Sequence, residues 1–144
     1  MIEIDKIEDL LDYKNLETLH IDLSLADKDI NLSNFGSVLS TMTNLSNLKV
    51  DQWNIGDNGA NGLKTGLSRL NNLKKLNLRL YYNLIVEKGL ISLSMAFTNL
   101  TKLKILDLNL SFNKFNILAI SHLALGLAKL SSLQTLNLIL RKIL

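Results

Sequence analysis

The chain has 144 residues, a formal net charge of +3 and a pI near 9.2, with 47% apolar and 20% charged residues. One domain of that length can bury a core, and the composition is not that of a disordered chain. It contains no cysteine, which excludes disulfides, thiol nucleophiles and thiolate metal sites and fits a reducing compartment.

The first residues, Met1 to Asp5, are acidic and lack the basic-then-apolar layout of a signal peptide. No run of about 18 uninterrupted apolar residues occurs, so no membrane span is expected and the chain reads as cytoplasmic. Asp5-Lys6-Ile7-Glu8 has capping-box spacing and predicts a helix through Tyr13. Its Leu10, Tyr13 and Leu16 match the last helix positions of the units that follow, so residues 1–15 read as an N-terminal half repeat.

From there a leucine-x-x-leucine motif recurs, anchored at Leu16, Leu45, Leu73, Leu103 and Leu133, with spacings of 29, 28, 30 and 30 residues. A self-similar period of that length marks a repeat solenoid over residues 16–144, with units starting near 16, 45, 73, 103 and 133. Each motif opens an alternating run, as in Leu76-Asn77-Leu78-Arg79-Leu80 and Leu106-Asp107-Leu108-Asn109-Leu110. Period-two alternation puts leucine, isoleucine or valine inward and polar residues outward on a strand. The period then changes to four, four, four and three, as in Ile85, Gly89, Leu93, Phe97, Leu100 and Leu103, which marks one helix face. The small residues Gly59, Gly89 and Ala119 are expected where helix and strand layers come close. Ser33, Asp57 and Asn116 stand at expected helix N-caps. Each unit is a strand, a loop and a helix, and units must stack to bury their apolar faces.

This pattern resembles the leucine-rich repeat family, in its ribonuclease-inhibitor-like class. Asn54-Ile55-Gly56-Asp57-Asn58-Gly59-Ala60 is similar to that class's loop-to-helix segment. Asn83 and Asn113 match the family's asparagine whose side-chain amide satisfies backbone groups at the strand turn. The extra leucine in Leu78-Arg79-Leu80 is similar to leucine-rich repeat proteins of ciliates. The resemblance implies an α/β leucine-rich repeat solenoid, right-handed, with a parallel sheet on one face and helices on the other. It also implies that partners sit on the outward, usually concave, sheet face.

Two columns cross that face. One is His20, Lys49, Asn77, Asp107 and Asn137; the next is Asp22, Asp51, Arg79, Asn109 and Ile139. Trp53 and Tyr81 lie where strands end, with Tyr82 and Phe112 close by. Tryptophan, tyrosine and arginine favour interface hot spots, so the candidate partner-binding residues are Lys49, Asp51, Trp53, Asn77, Arg79, Tyr81, Asp107 and Asn109. Trp53 and Phe112 have an alternative reading, turned inward to fill the core.

His20 and Asp22 share a face but lack a nucleophile or metal partner, and His122 reads as a helix surface residue. Gly56, Gly59 and Gly62 follow the repeat, not a dinucleotide fingerprint. No enzyme activity, cofactor or metal site is expected. The basic residues read as dispersed, with the densest group at Lys64, Arg69, Lys74, Lys75 and Arg79, so no nucleic-acid partner is expected.

The chain stops at Arg141-Lys142-Ile143-Leu144, just after a strand. The exposed edge has three readings: further repeats of a longer protein, stacking on a partner or a second copy, or a tail that folds back. The expected function is protein–protein interaction, as an adaptor or structural subunit, with a cytoskeletal or ciliary assembly as the specific case. The alternative is regulation of an enzyme, such as a small GTPase or a hydrolase, through the sheet face.

Overall fold

The computed structural model describes residues 7–23, 34–51 and 54–142. A 3-10 helix, Ile7–Tyr13, precedes alternating strands and helices. These are β1 (Thr18–Asp22), α1 (Phe35–Leu39), β2 (Asn47–Asp51), α2 (Gly56–Leu67), β3 (Lys75–Arg79), α3 (Glu87–Phe97), β4 (Ile105–Asn109), α4 (Ile117–Leu127) and β5 (Thr135–Ile139).

The strands form one parallel sheet in the order β1-β2-β3-β4-β5. Sequential parallel neighbours need a crossover connection, and the stretches between strands supply it. Register follows the repeat: Leu19, Leu48, Leu76, Leu106 and Leu136 lie side by side. The helices stack on one another in the same order, with the 3-10 helix against α1. Leucines from both layers fill the space between, and Leu63, Leu76, Leu78, Leu93 and Leu106 are fully buried. Each such leucine contributes roughly 1.5–3 kcal/mol relative to exposure, so the leucine excess is the chemistry of the core.

Several local expectations change. The N-terminal helix is 3-10, and Tyr13, placed by analogy with buried Met42, is 42% exposed. Ile7, Leu10 and Tyr13 are three apart, a spacing that lines up at three residues per turn. Asn116 does cap α4, its side chain accepting from the Ala119 amide at 3.0 Å. Asp57 does not cap α2; it lies in the first turn after Ile55, and its Oδ1 accepts from the Val86 amide at 2.9 Å. It stitches one unit to the next. The small residue at Gly89 is required by that stitch, because a side chain there would strike the Asp57 carboxylate rather than the sheet. Ser33 lies outside the described residues.

Candidate functional site

Where β3 and β4 end, the chain turns off the sheet through left-handed residues, Tyr82 (φ 57) and Phe112 (φ 59). Non-glycine residues seldom adopt that conformation. Here the ladder continues through it, with the Tyr82 amide donating to the Ser111 carbonyl at 3.1 Å and the Phe112 amide to the Arg141 carbonyl at 2.9 Å. The turn is closed by a buried amide chain. Asn113 Oδ1 accepts from the Asn83 and Ile85 amides at 3.1 and 2.9 Å. Its Nδ2 donates to the Leu80 and Leu110 carbonyls at 2.7 and 2.9 Å. Asn83 Oδ1 in turn accepts from the Ile55 amide at 3.0 Å. The role that the resemblance implied for these two asparagines is what the geometry displays.

This turn sets the aromatic residues. Tyr82 and Phe112 stack with centroids 4.2 Å apart and planes 10° apart, and Tyr81 meets Tyr82 edge to face at 6.1 Å. Phe112 therefore packs along the rim and does not turn inward. Lys142 Nζ extends the stack, 5.4 Å from the Phe112 centroid. Trp53 lies outside the described residues.

Both predicted columns are columns in the sheet: His20, Lys49, Asn77, Asp107 and Asn137, beside Asp22, Asp51, Arg79, Asn109 and Ile139. The candidates divide into two groups. Asn77, Arg79, Tyr81, Asp107 and Asn109 line one open depression of about 460 Å³, together with Asn137 and Ile139. Lys49 and Asp51 belong instead to an ion cluster. Asp51 Oδ2 accepts from Lys49 Nζ at 2.8 Å and from His20 Nε2 at 3.0 Å, and Arg79 Nε lies 3.4 Å from Oδ1. The Asp51 side chain is only 14% exposed, and its Oδ1 is solvent-shielded and without a hydrogen bond. A half-buried carboxylate needs such charge compensation. Asp51 thus sets its charge against Lys49 on its own strand and Arg79 on the next.

His20 shares its outward face with Asp22, and its hydrogen-bond partner is Asp51, one strand over and diagonal. The hub role of Asp51 was missed because it depends on diagonal reach across the sheet. The depression can take a side chain that exchanges hydrogen bonds with amides and a carboxylate beside an aromatic edge. No group of three or more histidine, aspartate or glutamate side chains converges as a metal site among the described residues. No described helix is long and apolar enough to cross a membrane.

Neither a protein-family model nor a curated protein sequence matches the chain. Solved structures do. One, the actin-binding site 2 (ABS2) of leiomodin-1, matches with a TM-score of 0.67 over 92% of this chain and 76% of that one. Identity is 16%, so the likeness is one of fold: an alternating α/β, leucine-rich-repeat-like arrangement around a parallel sheet. It does not single out the ribonuclease-inhibitor-like class or a ciliate group.

Proposed function

We propose that this chain is a non-catalytic protein-interaction module, an adaptor or structural subunit of a larger assembly, whose outward sheet face is the contact surface. The observation that carries this reading is the shared depression: Asn77, Arg79, Tyr81, Asp107 and Asn109 converge on one hollow flanked by an aromatic rim. A tyrosine and an arginine beside amides form the mix that interface centres favour. Asp51 holds Arg79 and Lys49 in place, which lowers the entropy cost of docking. Within this class, the fold likeness to leiomodin-1 actin-binding site 2 supports a cytoskeletal partner, with actin the first candidate.

The test is co-sedimentation with filamentous actin, followed by capture from a cytoskeletal fraction, using the wild type and an Arg79→Ala/Tyr81→Ala variant. Binding by the wild type and weakening by about tenfold or more in the variant are expected. Unimpaired binding by a folded variant would exclude the sheet face as the contact surface. Absence of wild-type binding to actin, with capture of another protein, would keep the module and replace the partner.

A further inference from the structure

The densest group of basic residues in the sequence is regrouped by the fold. Lys64 lies half-buried on α2, and Arg79 is paired with Asp51 at the end of β3. Arg69, Lys74 and Lys75 are joined instead by Lys102 and Lys104, because the turn from α2 to β3 lies beside the turn from α3 to β4. A backbone ladder fixes that neighbourhood. The Lys74 amide donates to the Ser46 carbonyl at 2.7 Å and the Lys104 amide to the Lys74 carbonyl at 2.8 Å. Lys74 and Lys104 thus start one strand spacing apart, about 4.8 Å. Lys75 opens β3 beside them, and Lys102 Nζ donates to the Asn72 side-chain oxygen at 2.9 Å, which ties the two turns together. β3 and β4 are interior strands, flanked by β2 and β5, so this edge is formed within the stack.

Arg69, Lys74, Lys75, Lys102 and Lys104 are all exposed, and none has an ion-pair partner among the described residues. Residues 58–106, the middle of the stack, hold eight basic side chains and one carboxylate, Glu87, a net charge of +7. Glu87 bonds Asn116 at the start of α3. That is a helix length from the edge, about 16 Å for eleven residues. Asp107 lies two residues along β4 on the sheet face and pairs with none of the five. The helix dipole favours a cation at the last turn and fades beyond it. It accounts for Arg69, next to the Ser68 C-cap, but not for the four lysines further on. Like charges so close repel one another, and the fold holds them without compensation.

We infer that this strand-entry edge holds an acidic segment of a partner protein, a run of aspartate and glutamate side chains. Charge complementarity carries the assignment: five uncompensated cations on rigid turns steer and fix a carboxylate run. A hollow of about 380 Å³ opens beside the edge on the sheet face, lined by Lys75, Lys49, Asn47 and His20, and it admits an acidic side chain. A flat membrane surface cannot enter such a hollow. The apolar residues of the two turns, Leu70, Leu73, Leu100 and Leu103, are buried and leave nothing to insert into lipid. A single nucleic-acid strand needs rings to stack on. Neither turn contains an aromatic residue, and the Tyr82–Phe112 stack sits where the strands end. The edge is separate from the depression around Arg79 and Tyr81, so the inference does not rest on the proposed function.

The experiment is fluorescence anisotropy of a labelled poly-glutamate peptide titrated with the chain at physiological salt, with a poly-glutamine peptide of the same length as the blank. Saturable binding tighter than about 1 mM is expected for poly-glutamate and not for poly-glutamine. It should weaken as the Debye length falls from about 8 Å to about 3 Å at 1 M salt. Lys74→Glu/Lys104→Glu should weaken binding about tenfold or more, and Lys74→Arg/Lys104→Arg should keep it. Lys88→Glu/Lys114→Glu makes the same change in charge near the starts of α3 and α4 and should cost less than about threefold. Circular dichroism melting checks that each variant folds. A wild type that does not bind poly-glutamate would overturn the inference. So would equal losses in the two charge-reversal variants, since net charge alone would then be the cause. Tighter binding to phosphatidylserine vesicles or to a thymidine oligonucleotide, each competed against the peptide, would also overturn it, by making the partner a membrane or a nucleic acid.

Discussion

The asparagine amides at the strand turns show how much one side chain can hold. Asn113 serves two backbone amides and two carbonyls in a buried turn, in two neighbouring units at once. Replacing it with alanine orphans those groups, each costing about 1–3 kcal/mol when left buried without a partner. Asn113→Ala should therefore lose about 3 kcal/mol or more in urea unfolding. Asn83→Ala should also destabilise, because Asn83 Oδ1 accepts from the Ile55 amide and its Nδ2 donates to the Tyr81 carbonyl at 3.0 Å. A negligible loss at both positions would mean that the turn is held by packing alone. These two residues were legible from the repeat pattern, whereas Asp51 was not. Its partners come from three strands, and only the diagonal from His20 and the lateral reach of Arg79 make it a hub.

Helix pairing depends on small residues at particular crossings. A Cβ on Gly36 would strike the Gly62 carbonyl, and one on Gly126 the Ser94 carbonyl. Each Cβ would meet a backbone carbonyl, so no rotamer change relieves the clash. Gly126→Val should push α4 off α3 and cost about 1–3 kcal/mol, the usual penalty for overpacking. Gly56→Ala is the control: its Cβ would meet nothing within 4 Å, and its cost should be that of a φ of +55 alone, about 1–2 kcal/mol. Thermal melts measure both, and a Gly126→Val protein as stable as wild type would show that the helices are not close-packed in solution. The periodicity of four and three announced the helices, but not which glycines face a neighbouring helix.

As a stack, the molecule should open from one end. Each unit is held by its neighbours, so stability is set by how many sides a unit has covered. β3 has strands on both sides and its leucines are fully buried, while β5 is an edge with Leu136 45% exposed. Backbone amides of α4 and β5 should exchange with deuterium faster than those of α2 and β3, by about tenfold or more if the difference is at least 1.4 kcal/mol. Uniform protection across the sheet would show that the chain unfolds in one step.

Local patterning carried most of the architecture. Period-two and period-four runs named the strands and helices, the 28–30 residue spacing put His20, Lys49, Asn77, Asp107 and Asn137 in one column, and parallel register followed from repetition. The reason is that each unit meets only its neighbours, so short-range pattern and fold nearly coincide. Tertiary structure decided what depends on reach between units: Asp57 tied to Val86 instead of capping its own helix, Asp51 gathering His20, Lys49 and Arg79, and Tyr82 stacked on Phe112.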